Sequence, residues 1–134
     1  MKRPVVTIRI VGWLAILASF LMAGAALAQQ AAPGPDYQKQ AQDAIANCEG
    51  TRKIVVDSIK KVEAKASAAG ASDMLKKEVG DAKMWFKKAD DLLAQSKKQV
   101  DEKKIDKDVV ENLNQAWRWY VEAGSAAVRA SMMD

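Results

Sequence analysis

Histidine is absent from the 134 residues, and cysteine occurs once, at Cys48. The first absence removes the commonest general base, the commonest zinc ligand and the usual haem ligand. The second excludes an intrachain disulfide. Proline occurs three times, always at or before residue 35, so nothing downstream breaks a helix in the way proline does. Blocks of one charge sign are also missing, because acidic and basic residues alternate closely along the chain. No spacing of catalytic, cofactor-binding or metal-ligating residues stands out. The sequence therefore points to no catalytic residue, no cofactor and no metal, and an enzyme is the least expected class.

What is present begins with an export signal. Lys2, Arg3 and Arg9 are the only charges before an uncharged, apolar run from Ile10 to Ala28. That run closes on Ala26-Leu27-Ala28. A basic start, an apolar middle and an A-x-A end describe a secretory signal cleaved after Ala28. The alternative is an uncleaved anchor, since 19 uncharged residues reach the length that spans a bilayer. Lipoprotein processing is excluded by Gln29, where cysteine would be needed. Both readings place everything after residue 28 outside the cytoplasm: periplasmic or secreted if cleaved, held at the inner membrane and facing the periplasm if retained.

Removing Lys2, Arg3 and Arg9 with this segment changes the charge balance. The full chain has 21 basic and 17 acidic residues, and the remainder has 18 and 17. The basic character belongs to the targeting segment. A nucleic-acid binder needs a clustered basic surface, so nucleic acid is not an expected partner.

Residues 29–35 form a leader containing Pro33, Gly34 and Pro35, and a single helical domain is expected over 36–134. Tyr37, Ala41, Ala44, Cys48, Val55, Ile59, Val62 and Ala66 recur at helical spacing, after Asp36 as a plausible N-cap. Gly70 suits a C-cap and Ser72 or Asp73 the next N-cap. Leu75, Val79, Ala82, Phe86, Ala89, Leu93, Ser96 and Val100 then follow alternating steps of four and three, a heptad seam that Trp85 and Leu92 widen. A charged turn near 103–106 leads to Asp106 as the third cap. Val110, Leu113, Trp117, Tyr120, Gly124 and Ala127 carry the third stripe. The expected fold is all-α: an up-down-up three-helix bundle with helices over about 36–68, 72–102 and 106–131. Folding the chain back on itself places Cys48 opposite Leu92 and Leu93, and Phe86 opposite Glu122 to Gly124.

Five features invite a functional reading. Cys48 lies on an apolar stripe and is expected to be a buried, inert thiol; the alternative is a disulfide to a partner chain. Phe86, Trp117 and Tyr120 read as core. Trp119 falls off the third stripe and is the leading candidate for contact with a partner. Ala123, Ala126 and Ala130, with Ala116, Ala127 and Gly124, form a small-residue stripe that permits close helix approach, including approach by a second copy. Methionine spacing does not converge on a copper site, and Asp90-Asp91, flanked by Lys87 and Lys88, reads as a solvated face.

Together these features describe a non-enzymatic exported protein, a periplasmic scaffold or accessory protein that binds another protein. One alternative is an anchored accessory subunit of a respiratory or photosynthetic complex, with residues 10–28 as its span. A second is a ligand or cofactor carrier with a pocket inside the bundle. Intact-mass measurement on the native protein separates the first two: cleavage predicts a chain that starts at Gln29, whereas a mass that includes residues 10–28 establishes the anchor.

Overall fold

Each helix begins where a short polar side chain turns back on its own backbone. In the computed structural model, which describes residues 35–133, Asp36 accepts a hydrogen bond from the Lys39 amide at 3.0 Å and opens α1, Tyr37–Ala66. The Ser72 hydroxyl accepts from Leu75 at 3.2 Å and opens α2, Asp73–Asp101. Asp106 accepts from Val109 at 3.0 Å and opens α3, Lys107–Ser131. Each cap satisfies an amide that the first turn leaves without a partner. The described residues contain these three helices and no strand. The signal segment and most of the leader lie outside the described residues.

The helix ends fall within two residues of the expected positions. The main difference is at Gly70, which does not cap α1. Ser67 does so, donating to Glu63 at 3.0 Å, and Gly70 sits farther on with φ 85°. It occupies the third position of a turn closed by Ala71 donating to Ala68 at 3.2 Å, where positive φ is required. At the second turn Lys103 adopts φ 57° without the help of glycine. There Lys104 donates to Gln99 at 2.8 Å and Lys103 to Val100 at 3.0 Å, the paired bonds of a Schellman ending.

Alternating direction is fixed by contacts along the helices. Glu49 meets Lys97 at 2.7 Å and Glu63 meets Lys83 at 2.6 Å, so α1 and α2 run antiparallel. Glu78 meets Arg129 at 3.1 Å and Asp90 meets Tyr120, so α2 and α3 do as well. The three helices are not equivalent. α3 packs extensively on both others, whereas α1 and α2 touch each other least. Apolar residues form two clusters. One holds Ala41, Ala44, Cys48, Ala89, Leu93, Val109, Leu113 and Tyr120; the other holds Val55, Ile59, Val62, Leu75, Val79 and the alanines of α3. Phe86 packs against both. Fully burying a side chain such as Leu75 or Leu113 contributes about 1.5–3 kcal/mol.

Small residues set the spacing between helices. Ala123, Ala126 and Ala130 have no exposed surface. A β-carbon at Gly124 would stand 3.3 Å from Val55 Cγ2, tighter than ordinary van der Waals contact, so α1 crosses α3 closely there. The heptad seam of α2 also buries Ser96 completely, and its hydroxyl has no partner among the described residues.

Lys103 gives a direct test of the second turn. A left-handed conformation costs an L-residue about 1–2 kcal/mol, and glycine escapes most of that cost. Lys103→Gly is expected to raise unfolding free energy by about 1 kcal/mol in urea denaturation. A lower midpoint would show that Lys103 does not hold this backbone geometry.

Candidate interaction surface and the polar contact beneath it

Adjacent residues on a helix point about 100° apart, and two such pairs divide inside from outside here. Phe86 of α2 and Tyr120 of α3 meet edge to face at 5.6 Å, below α1. The expected register placed Phe86 opposite residues 122–124, between half a turn and one turn farther along α3. Their neighbours Trp85 and Trp119 meet on the other flank of the α2–α3 pair, with ring centroids 6.5 Å apart and planes at 40°. Both tryptophans are half-buried, and Lys88 Nζ lies 4.9 Å over the Trp85 ring. Met84, next to Trp85 in sequence, is 44% exposed. These side chains make an amphipathic patch whose rings are rigid and whose rim is charged.

Trp119 is half-buried at the edge of the core. The other three expected contact residues are fully buried. Ala123, Ala126 and Ala130 are spent inside the bundle, in the cluster against which Trp85 packs. A stripe of small residues serves any close helix approach, and here the approaching helices belong to the same chain. While the bundle is intact these alanines offer no surface to a second molecule.

On the α1 side of Phe86 and Tyr120 lies a polar contact to which each helix contributes one residue. Arg52 of α1 holds Asp90 of α2 with two hydrogen bonds, Nε to Oδ1 at 2.8 Å and Nη2 to Oδ2 at 3.0 Å. The Tyr120 hydroxyl of α3 donates to the same Oδ1. The Arg52 guanidinium also lies 5.2 Å from the centre of the Phe86 ring. Burial by itself raises the Asp90 pKa. The hydrogen bonds from Arg52 and Tyr120, with the charge of Arg52, outweigh it and hold the carboxyl below its ordinary range. Burial and the neighbouring carboxylate push the Tyr120 phenol well above its usual value. On the adjoining face of α1, the Thr51 hydroxyl accepts from Trp117 Nε1 at 3.2 Å.

An open groove of about 580 Å³ runs over this contact between α1 and α2, lined by Glu49, Arg52, Asp90, Leu93 and Lys97 among others. Two ion pairs span the groove, Glu49 with Lys97 and Arg52 with Asp90, and it lies on the surface and not inside the core. Cys48 is fully buried, and its thiol donates to the Leu113 carbonyl at 3.3 Å. Burial, helped by the charge of Glu49, pushes the thiol up to about 12. A thiol with those properties is an inert packing group at neutral pH.

No group of three or more histidine, cysteine, aspartate or glutamate side chains among the described residues could hold a metal ion. No helix among them is long and apolar enough to cross a membrane. Compared with known proteins, the chain matches no family model, no curated protein and no solved structure, so no relative's chemistry transfers to it.

The expected solvated face holds for Asp91 and fails for Asp90, and Arg52 is not singled out by its residue type, although a signal for the pair exists. The α1 stripe steps from Cys48 to Val55 over seven residues, and the skipped core position is occupied by Thr51 and Arg52. A polar gap in an apolar stripe calls for a polar partner on a facing helix. Asp91 behaves as a solvated residue, paired with Lys87 at 3.2 Å, while Asp90 turns inward.

The contact carries a pH signature. Asp90 releases its proton more readily in the folded than in the unfolded chain. The stability it confers is present above the ordinary aspartate pKa of about 3.9 and is lost as pH falls through the lower folded value. Asp90→Asn is expected to lower the urea midpoint at pH 7 and to narrow the difference between pH 7 and pH 3. An unchanged difference would mean that Asp90 is not held ionised by Arg52 and Tyr120.

Proposed function

We propose that this is a non-enzymatic exported protein that binds a protein partner through the Trp85–Trp119 surface, as a periplasmic scaffold or accessory component. The observation that supports this reading is the tryptophan pair itself. Two half-buried indoles lie together on the flank of α2 and α3 that α1 does not cover, beside the exposed Met84 and under Lys88. Rigid aromatic rings with a polar rim are the composition enriched at protein–protein contacts, and ordering them on binding costs little side-chain entropy.

The rest of the molecule favours binding over chemistry. In its conspicuous ionised cluster, Arg52 and Tyr120 both donate to the Asp90 carboxylate. The only thiol is enclosed and bonded to a backbone carbonyl. Neither presents a free nucleophile or base to a substrate. Export is the part of the proposal that rests on residues 1–28 and on their basic, apolar and A-x-A sequence.

Trp119→Ala tests the surface. The helical content of the variant is expected to stay close to that of the parent, because Trp119 packs at the edge of the core. Partners recovered with the protein from native membranes and periplasm are expected to be lost, with affinity reduced at least tenfold, about 1.4 kcal/mol or more. Retention of every partner would sink the assignment of this surface.

A further inference from the structure

The α2–α3 pair has two apolar flanks. One displays Phe86 and Tyr120 and is covered by α1; the other displays Trp85 and Trp119 and is open. The connection from α1 to α2 does not dictate which flank α1 takes, since residues 67–72 include Gly70 and carry no charge or proline. Nor do the apolar residues of α1 dictate it. Ala41, Ala44, Cys48, Val55, Ile59 and Val62 are small or aliphatic, and such side chains make few geometric demands on the surface they cover.

We infer that the Arg52–Asp90–Tyr120 contact selects the flank on which α1 docks, and so keeps the Trp85–Trp119 face open. It is the one side-chain hydrogen-bonded contact among the described residues in which all three helices take part. With α1 on the tryptophan flank, Asp90 could keep Tyr120 but would lose both bonds from Arg52, and Phe86 would lose the guanidinium over its ring. Leaving a partly buried carboxylate without its cation is costly even where the net gain from making the pair is small. The contact therefore discriminates between arrangements more than it stabilises either one, which is the role of a polar layer in an otherwise permissive core. The two other α1–α2 ion pairs, Glu49–Lys97 and Glu63–Lys83, each make a single contact and leave α3 out, so they are weaker selectors. The inference holds whether or not the tryptophan face binds a partner.

The test replaces the polarity and keeps the bulk: Arg52→Leu with Asp90→Leu and Tyr120→Phe, in the purified full or naturally processed chain. Helix content is expected to persist, while the indole ¹⁵N–¹H resonances of Trp85 and Trp119 split into two sets, the second at roughly one tenth of the first or more. A single unshifted set overturns the inference. An unfolded triple variant overturns it too, because the contact would then supply stability and not selection. The charge-exchanged pair, Arg52→Asp with Asp90→Arg, is expected to restore one set of resonances. Two sets in that variant would count against the inference, since the ion pair would be intact without selecting.

Discussion

Two donors meet the Asp90 carboxylate between three helices and favour its ionised form. Arg52 arrives from α1 with a two-pronged guanidinium, and Tyr120 arrives from α3 with a hydroxyl at the end of a fully buried ring. The axial levels of all three helices are tied together at that one carboxylate. Above and below it the core divides into two apolar clusters, and Phe86, in contact with both, sits against Tyr120 and under Arg52. The same residues thus join the helices, align them and bridge the two halves of the core.

A core this rich in alanine makes such a contact valuable. Alanine buries little area and defines little shape, so close helix approach provides dispersion energy without much directional preference. The close passage of Val55 over Gly124 shows how near the backbones come. Specificity in a core of this kind is better supplied by a few groups whose partners must be in one place. Asp90 is such a group, and Thr51, which accepts from Trp117, is another on the adjoining face of α1.

The division of aromatic residues between the two flanks links this interior to the proposed function. Trp85 and Phe86, like Trp119 and Tyr120, are neighbours in sequence with different partners. Half-buried Phe86 meets the fully buried Tyr120, and the half-buried Trp85 and Trp119 meet each other, with Lys88 over Trp85. A binding face built on two helices that are themselves locked by a polar layer is held rigid before any partner arrives, which reduces the entropic cost of association.

Helix number, helix limits and capping residues were legible in the sequence because they depend on local chemistry: Asp36, Ser72 and Asp106 each satisfy an amide three residues away. The apolar stripes were legible because helical spacing alone puts their members on one face. Trp119 stood out by falling off its stripe, and Cys48 by lying on one. Other features depended on what each face meets. Glu49 has Lys53 at helical spacing, yet it pairs with Lys97 of another helix. Asp90 and Asp91 are indistinguishable in sequence, yet one turns inward to Arg52 and Tyr120 and the other outward to Lys87. The alanine stripe of α3 advertises close approach without naming what approaches, and only the packed chain assigned it to α1 and α2. Local hydrogen bonding and periodicity are properties of a segment, whereas the partner of a face is a property of the whole arrangement, because it depends on contacts between residues far apart in the chain.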